Sequence, residues 1–204
     1  MNFKKNKYSI IKNSLSKEII QVMTGYTLLK RTVYKTFVKN KYIAPLCVDW
    51  GKLEDNQANG IYSCYSDILT DTVLQILKPK VEKIIKEKIF PLYSYYRIYT
   101  KNDVLPKHLN TKQFYISCLL HIGKNKFPIT LNINNEEKTI NLNNGDLLIY
   151  RGGEVNQTKE MFGDNTAIQI FFYYTNNKDL MWDAKPHPGL PEWFSKNLQW
   201  NNYE

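Results

Sequence analysis

Hydrophobic positions along the chain follow one period in its first part and another in its second. Ser16 suits a helix N-cap with Glu18 in the first turn, and Ile19, Ile20, Met23, Tyr26, Leu28 and Leu29 follow with mixed helical spacing. The first forty residues therefore read as helical. From Asp71 to Phe90 the pattern is cleaner: Val73, Leu74, Leu77, Val81, Ile84, Ile85 and Ile89 recur at three- and four-residue steps, with Lys and Glu between them facing water. Pro79 inside that run predicts a kink or the start of a second helix. Between the two helices, Asp49 to Ser66 carries Gly51, Asn56, Asn59 and Gly60 and reads as a loop.

From Tyr93 onward the period becomes two. Segments 93–99, 114–122, 129–133, 138–142, 147–150 and 167–174 are short, aromatic and β-branched, which is the composition of strands. Asn134-Asn135-Glu136-Glu137 between Leu131/Ile133 and Thr139/Ile140 is a hairpin signature, and Asn143-Asn144-Gly145-Asp146 is a second tight turn. About six to eight closely spaced strands point to a sandwich or jelly roll rather than a parallel sheet. The end of the chain combines Pro186, Pro188, Gly189 and Pro191 with Trp182, Trp193 and Trp200, a tail that either wraps back onto the domain or presents a binding surface.

Composition narrows the class. The 204 residues suit one domain, and 43% hydrophobic with 14% aromatic content argues against disorder. No stretch nears the roughly 20 apolar residues that span a bilayer, and no apolar run of signal-peptide length follows the basic N-terminus, so an intracellular setting without membrane contact is expected. Cys47, Cys64 and Cys118 contain no Cys-x-x-Cys pair and read as reduced structural thiols. The formal charge of +9 has its lysines crowded into the first ninety residues; they read as solvated helix faces, or as contacts to an acidic partner, nucleic acid included. There is no Walker-type loop, no Gly-x-Gly-x-x-Gly and no Gly-x-Ser-x-Gly elbow.

Five blocks carry a family resemblance. Tyr93-Ser94-Tyr95-Tyr96-Arg97-Ile98-Tyr99, then Leu105-Pro106-Lys107-His108-Leu109-Asn110, then Ile116-Ser117-Cys118-Leu119-Leu120 resemble the first half of a prolyl-hydroxylase-like 2-oxoglutarate/Fe(II)-dependent dioxygenase. The run from Asn144 to Val155 resembles its second half, and Asp183 to Pro191 is similar to the Pro-Gly-Leu-Pro tail of the small oxygenase-like proteins of marine phages and their hosts. The resemblance spans roughly residues 60 to 195. It implies an α+β fold with N-terminal helices (1–90) packed on a double-stranded β-helix, the jelly-roll or cupin-type barrel (91–178), and a Pro/Trp-rich tail (179–204), all one structural unit.

At the family's functional positions the chain departs from the pattern. The two His and one carboxylate that hold Fe(II) fall on His108, Asn110 and Gln157. The family's cationic anchor for 2-oxoglutarate, about ten residues past the second His, falls on Thr166, Ala167 and Ile168. Tyr99 matches a tyrosine that lines the cosubstrate pocket. Of the remaining histidines, His121 reads as a structural strand residue and His187 as part of the tail; neither these nor Asp103, Asp183 and Glu192 offer firm metal-ligand spacing.

These readings give an expected function of a degenerate, catalytically inactive barrel without metal or cosubstrate. Such a protein serves as a binding or structural scaffold for a protein partner, a phage virion being one setting. A vestigial polar pocket at the barrel mouth is rimmed by Tyr99, His108, Asn110, Gln157 and Lys159, with Tyr99 and Ala167 the remnant of the cosubstrate pocket. The alternative is an active Fe(II)/2-oxoglutarate hydroxylase of a peptidyl substrate with atypical ligands, and a third is a basic module on nucleic acid.

Overall fold

A computed structural model describes residues 3–43, 47–53, 60–100, 114–124, 126–134, 136–154, 156–159, 166–180 and 189. In chain order its elements are α1 (Phe3–Asn6), β1 (Tyr8–Ile11), α2 (Lys17–Lys39), β2 (Tyr62–Tyr65), α3 (Ile68–Ile85), β3 (Phe90–Tyr99), β4 (Ile116–Gly123), β5 (Phe127–Ile133), β6 (Glu136–Leu142), β7 (Leu147–Arg151), β8 (Asn156–Lys159) and β9 (Ala167–Thr175). The strands form two antiparallel sheets, a major one in the order β1-β7-β4-β9-β3-β2 and a minor one in the order β6-β5-β8.

Alternation along the major sheet divides the core in two. Tyr96, Ile98, Cys118, Leu120, Ile122, Ile149, Ile168, Ile170 and Phe172 face outward onto Met23 of α2 and Val73, Leu74, Leu77 and Val81 of α3. The opposite parity, Tyr93, Leu119, Leu148, Tyr150, Phe171 and Tyr173, packs on Ile129, Leu131, Ile140 and Leu142 of the minor sheet. This second layer is the barrel interior. Helices on one face and a second sheet on the other are what the jelly-roll reading expects.

Local chemistry explains most element ends. The Ser16 hydroxyl accepts from the Ile19 N–H at 3.4 Å at the start of α2, and the Asp67 carboxylate accepts from the Leu69 N–H at 2.9 Å at the start of α3. Lys86, at φ 60°, ends α3 in the left-handed region. In the β5–β6 hairpin Ile133 pairs with Glu136 and Asn134 takes φ 53°, the conformation that favours asparagine at a two-residue turn. Gly145, at φ 82°, makes the turn before β7, and the Asp146 carboxylate closes it by accepting from the Asn143 N–H at 2.9 Å.

Three expectations are corrected. The first forty residues are not all helical, because Tyr8–Ile11 forms β1 on the edge of the major sheet, Tyr8 pairing with Tyr150 and Ile11 with Leu147. The stretch read as a loop contains β2, in which Cys64 pairs with Tyr96. Both are four-residue strands whose pairing partners lie far away in sequence, so tertiary contact overrides local pattern there. Pro79 does not divide α3, which runs unbroken from Ile68 to Ile85. Pro79 and Gln75 both lie on the exposed face, so the Gln75 carbonyl deprived of its helical donor is left to water.

Cys47, Cys64 and Cys118 are free thiols. Burial pushes the Cys64 thiol up to about 11 and the Cys118 thiol well above its ordinary value, so both stay protonated and unreactive at neutral pH. No described helix is long and apolar enough to cross a membrane.

Candidate functional site

The barrel interior carries a polar row among its apolar side chains. On β3 the inward parity gives Tyr93, Tyr95, Arg97 and Tyr99; on β9 it gives Ala167, Gln169, Phe171 and Tyr173; on β4, Ser117, Leu119, His121 and Gly123. Arg97 lies opposite Gln169 in the β3–β9 ladder, and Gln169 lies opposite His121 in the β9–β4 ladder. Three polar side chains thus line up across adjacent strands, with Arg97 only 4% exposed and Gln169 and His121 fully buried. The Arg97 guanidinium sits over the Tyr95 ring at 5.1 Å from its centroid, a cation–π contact strengthened by low solvent access.

The next layer along the strands sets two small residues beside Tyr99. Tyr99 lies opposite Ala167, and Ala167 opposite Gly123. A Cβ on Gly123 would lie 3.0 Å from His121 Cε1, 3.3 Å from Nε2 and 3.5 Å from the Ala167 Cβ. The His121 ring therefore leans over the glycine toward Ala167, and the missing side chain at 123 makes room for it. His121 is an interior strand residue whose own backbone is bonded to the 143–146 turn, its carbonyl accepting from the Gly145 N–H at 2.8 Å.

The residues expected to form the degenerate metal site are distributed as follows. Tyr99 and Ala167 face each other inside the barrel, both buried. Gln157 belongs to β8, where its backbone pairs with Leu131, a barrel-core residue of β5. His108 and Asn110 lie outside the described residues, as do Asp103, Asp183, His187 and Glu192, and so do the side chains of Gln157 and Lys159. Of the positions considered for a cationic anchor, Thr166 is exposed at the start of β9, while Ala167 and Ile168 are buried on opposite faces of the sheet.

The strand read for a cation, β9, carries none, yet the barrel holds one. Arg97 enters from β3, next to Gln169 in the ladder. Reading by distance from the second-ligand position looks only at β9. The signal that finds Arg97 is parity, because it stands two residues before Tyr99 and so shares its face.

Fe(II) and 2-oxoglutarate are the groups the resemblance implies, and the donor set that the resemblance assigns fits the metal poorly. Fe(II) in such a barrel needs two imidazoles and a carboxylate, whereas the resemblance would put His108, Asn110 and Gln157 at those positions, whose side chains lie outside the described residues. An amide oxygen is neutral and a weak ligand, and it leaves the ion's charge uncompensated. Among the described residues no group of three His, Cys, Asp or Glu side chains is placed to hold a metal ion.

A separate cleft of about 720 Å³ opens on the outer face of the sheet, between α2 and the ends of β4 and β9. Ile20, Leu28, Ile122 and Ile168 form its apolar floor, and Gln21, Thr24, Lys124, Asn144 and Thr166 its polar rim.

No protein-family model matches the chain, and no curated protein matches it in sequence. Solved structures do match in fold. An oxidoreductase of the 2OG-Fe(II) oxygenase family from Burkholderia pseudomallei aligns with a TM-score of 0.64 at 8% identity, covering 86% of this chain and 88% of that one. A prolyl-4-hydroxylase from Pseudomonas putida aligns at 0.59 and 11% identity, over 86% and 96% of the two chains. A viral collagen prolyl hydroxylase from Paramecium Bursaria Chlorella virus-1, solved as its 2OG complex, aligns at 0.55 and 7% identity, over 83% and 96%. The two sheets, their strand order and the helices on the outer face are accordingly those of the double-stranded β-helix, and the chain has the fold of the 2-oxoglutarate/Fe(II) oxygenases, prolyl hydroxylases among them.

Proposed function

We propose that the chain keeps the oxygenase barrel as a scaffold for binding a protein partner and carries out no Fe(II)/2-oxoglutarate turnover. The observation that supports this reading is the donor set. The order of sequence blocks puts His108, Asn110 and Gln157 where the fold's relatives need two histidines and a carboxylate, and one imidazole with two amides is a poor Fe(II) site. Stacked aromatics in the barrel interior, such as Phe114 on Tyr173 at 4.1 Å between centroids, stiffen the framework and agree with that role.

A second reading, an active hydroxylase of a peptidyl substrate, is favoured by one observation: solved structures of this fold that match the chain include prolyl hydroxylases. The two readings separate in an assay of uncoupled 2-oxoglutarate decarboxylation with Fe(II), oxygen and ascorbate. The scaffold reading expects no succinate above the protein-free control. Succinate formed by the native chain and lost in His108→Ala establishes the enzyme.

A further inference from the structure

The mixed apolar spacing of α2 resolves into two faces. Ile20, Met23 and Thr27 are buried against the domain. At about 100° per residue, Ile19, Val22, Tyr26, Leu29 and Val33 fall on another side of the helix, in alternating steps of three and four. Val22 is 60% exposed and Leu29 65%, while Ile19 at 36%, Tyr26 at 38% and Val33 are partly covered, the Tyr26 hydroxyl donating to the Asp67 carboxylate at 2.9 Å. Trp50 and Tyr42, both exposed and both edge-on to Phe37, extend it at the C-terminal end. Isolated exposed apolar residues need no explanation, whereas a contiguous stripe at coiled-coil period does.

Gly25 stands at the edge of this stripe, exposed in mid-helix, and a Cβ built on it meets nothing within 4 Å. Among the described residues nothing requires glycine there, and in a helix interior it costs about 1 kcal/mol relative to alanine. A glycine of this kind lets another backbone come close.

We infer that α2 is the seam of a homodimer, pairing antiparallel with α2 of a second copy of this chain. The sequence of the helix is complementary to itself in that direction. With Tyr26 packed on Leu29 of the second copy, Val22 meets its Val33 and Ile19 meets its Thr36. The flanking positions then match as well: Glu18 meets Lys39 of the second copy, and Gly25 meets its Thr32, each twice by symmetry. Glu18, Thr32, Thr36 and Lys39 are all exposed and available for these contacts. In a parallel pair Glu18 and Lys39 would lie near opposite ends of the seam, about 30 Å apart, so only the antiparallel direction brings these two charges together. The helix of 23 residues is about 34 Å long, and Trp50 and Tyr42 lengthen the apolar surface beyond its C-terminal end.

Sedimentation velocity on the full chain over a range of concentrations tests this. The expected result is a dimer that becomes monomeric in Leu29→Glu without loss of thermal stability at low concentration. Glu18→Lys and Lys39→Glu should each weaken dimerisation about tenfold, since each places like charges opposite one another, and the double variant Glu18→Lys/Lys39→Glu should return to within about threefold of the native affinity. A chain that is monomeric at every concentration overturns the proposal. A dimer indifferent to Leu29→Glu, or one in which the double swap fails to rescue the single ones, overturns it equally.

Discussion

The backbone N–H of Gly189 donates to the buried carboxylate of Asp71 at 2.6 Å, which ties the C-terminal tail to the first turn of α3. The same carboxylate accepts from the Ser94 N–H at 2.7 Å, the Ser94 hydroxyl at 2.6 Å and the Ser66 hydroxyl at 2.5 Å. One side chain thus joins helix, barrel strand and tail. Replacing Asp71 by Ala strands these donors in a low-dielectric site, and urea unfolding should show a loss of about 3 kcal/mol or more.

Asp71 also gives the fold a pH dependence. Burial raises its pKa above the ordinary 3.8, against the lowering effect of the hydrogen bonds from Ser66, Ser94 and Gly189. In the window between its unfolded and folded values, the folded chain holds a proton that the unfolded chain has lost. Its contribution is therefore fully present below the unfolded value and declines as pH rises through the folded value. Unfolding free energies across acidic pH should show that decline in the native chain and a flatter profile in Asp71→Asn.

Glycine substitutions should split by local space. A Cβ at Gly152 would lie 2.6 Å from the Phe114 carbonyl oxygen and 2.6 Å from the Ser117 hydroxyl, so Gly152→Ala must move backbone and should cost about 3 kcal/mol. Gly25 has open space, so Gly25→Ala should stabilise the monomer by about 0.5–1 kcal/mol while weakening association through the α2 seam. Thermal melts at low concentration, paired with sedimentation, separate the two effects.

Pro79→Ala should raise stability by about 1 kcal/mol in equilibrium unfolding. The exposed site gives alanine a helical N–H and returns a donor to the Gln75 carbonyl. A loss of stability would mean that the helix geometry proline sets at this position is itself needed for packing on the sheet.

Much of the fold is legible in the sequence because parity and period act locally. Strands such as Ala167–Thr175 are buried on both faces and read as apolar runs, and the Asn-Asn hairpin and Asn-Gly-Asp turn mark register directly. Strands β1 and β2 are not legible, since four residues carry little periodic signal and their pairing with β7 and β3 spans long stretches of chain. The candidate site divides in the same way. Tyr99 and Ala167 follow from motif position, and the structure puts them opposite each other. Arg97, Gln169 and His121 form a row only once three distant strands are in register, a relationship that spacing along the chain cannot express. The two faces of α2 overlap within one turn, so its mixed spacing reads as weak amphipathicity until burial separates them.

The central claim is that the barrel persists without its iron chemistry, and the most direct test is an anaerobic titration with Fe(II) and 2-oxoglutarate. The observable is the visible charge-transfer band of bidentate 2-oxoglutarate on Fe(II), measured in the native chain beside an Asn110→Asp/Gln157→His variant. The expectation is no band in the native protein and a band in the variant, whose two replacements add a carboxylate and a second imidazole to the donor set of His108. A band in the native protein at stoichiometric Fe(II) would contradict it.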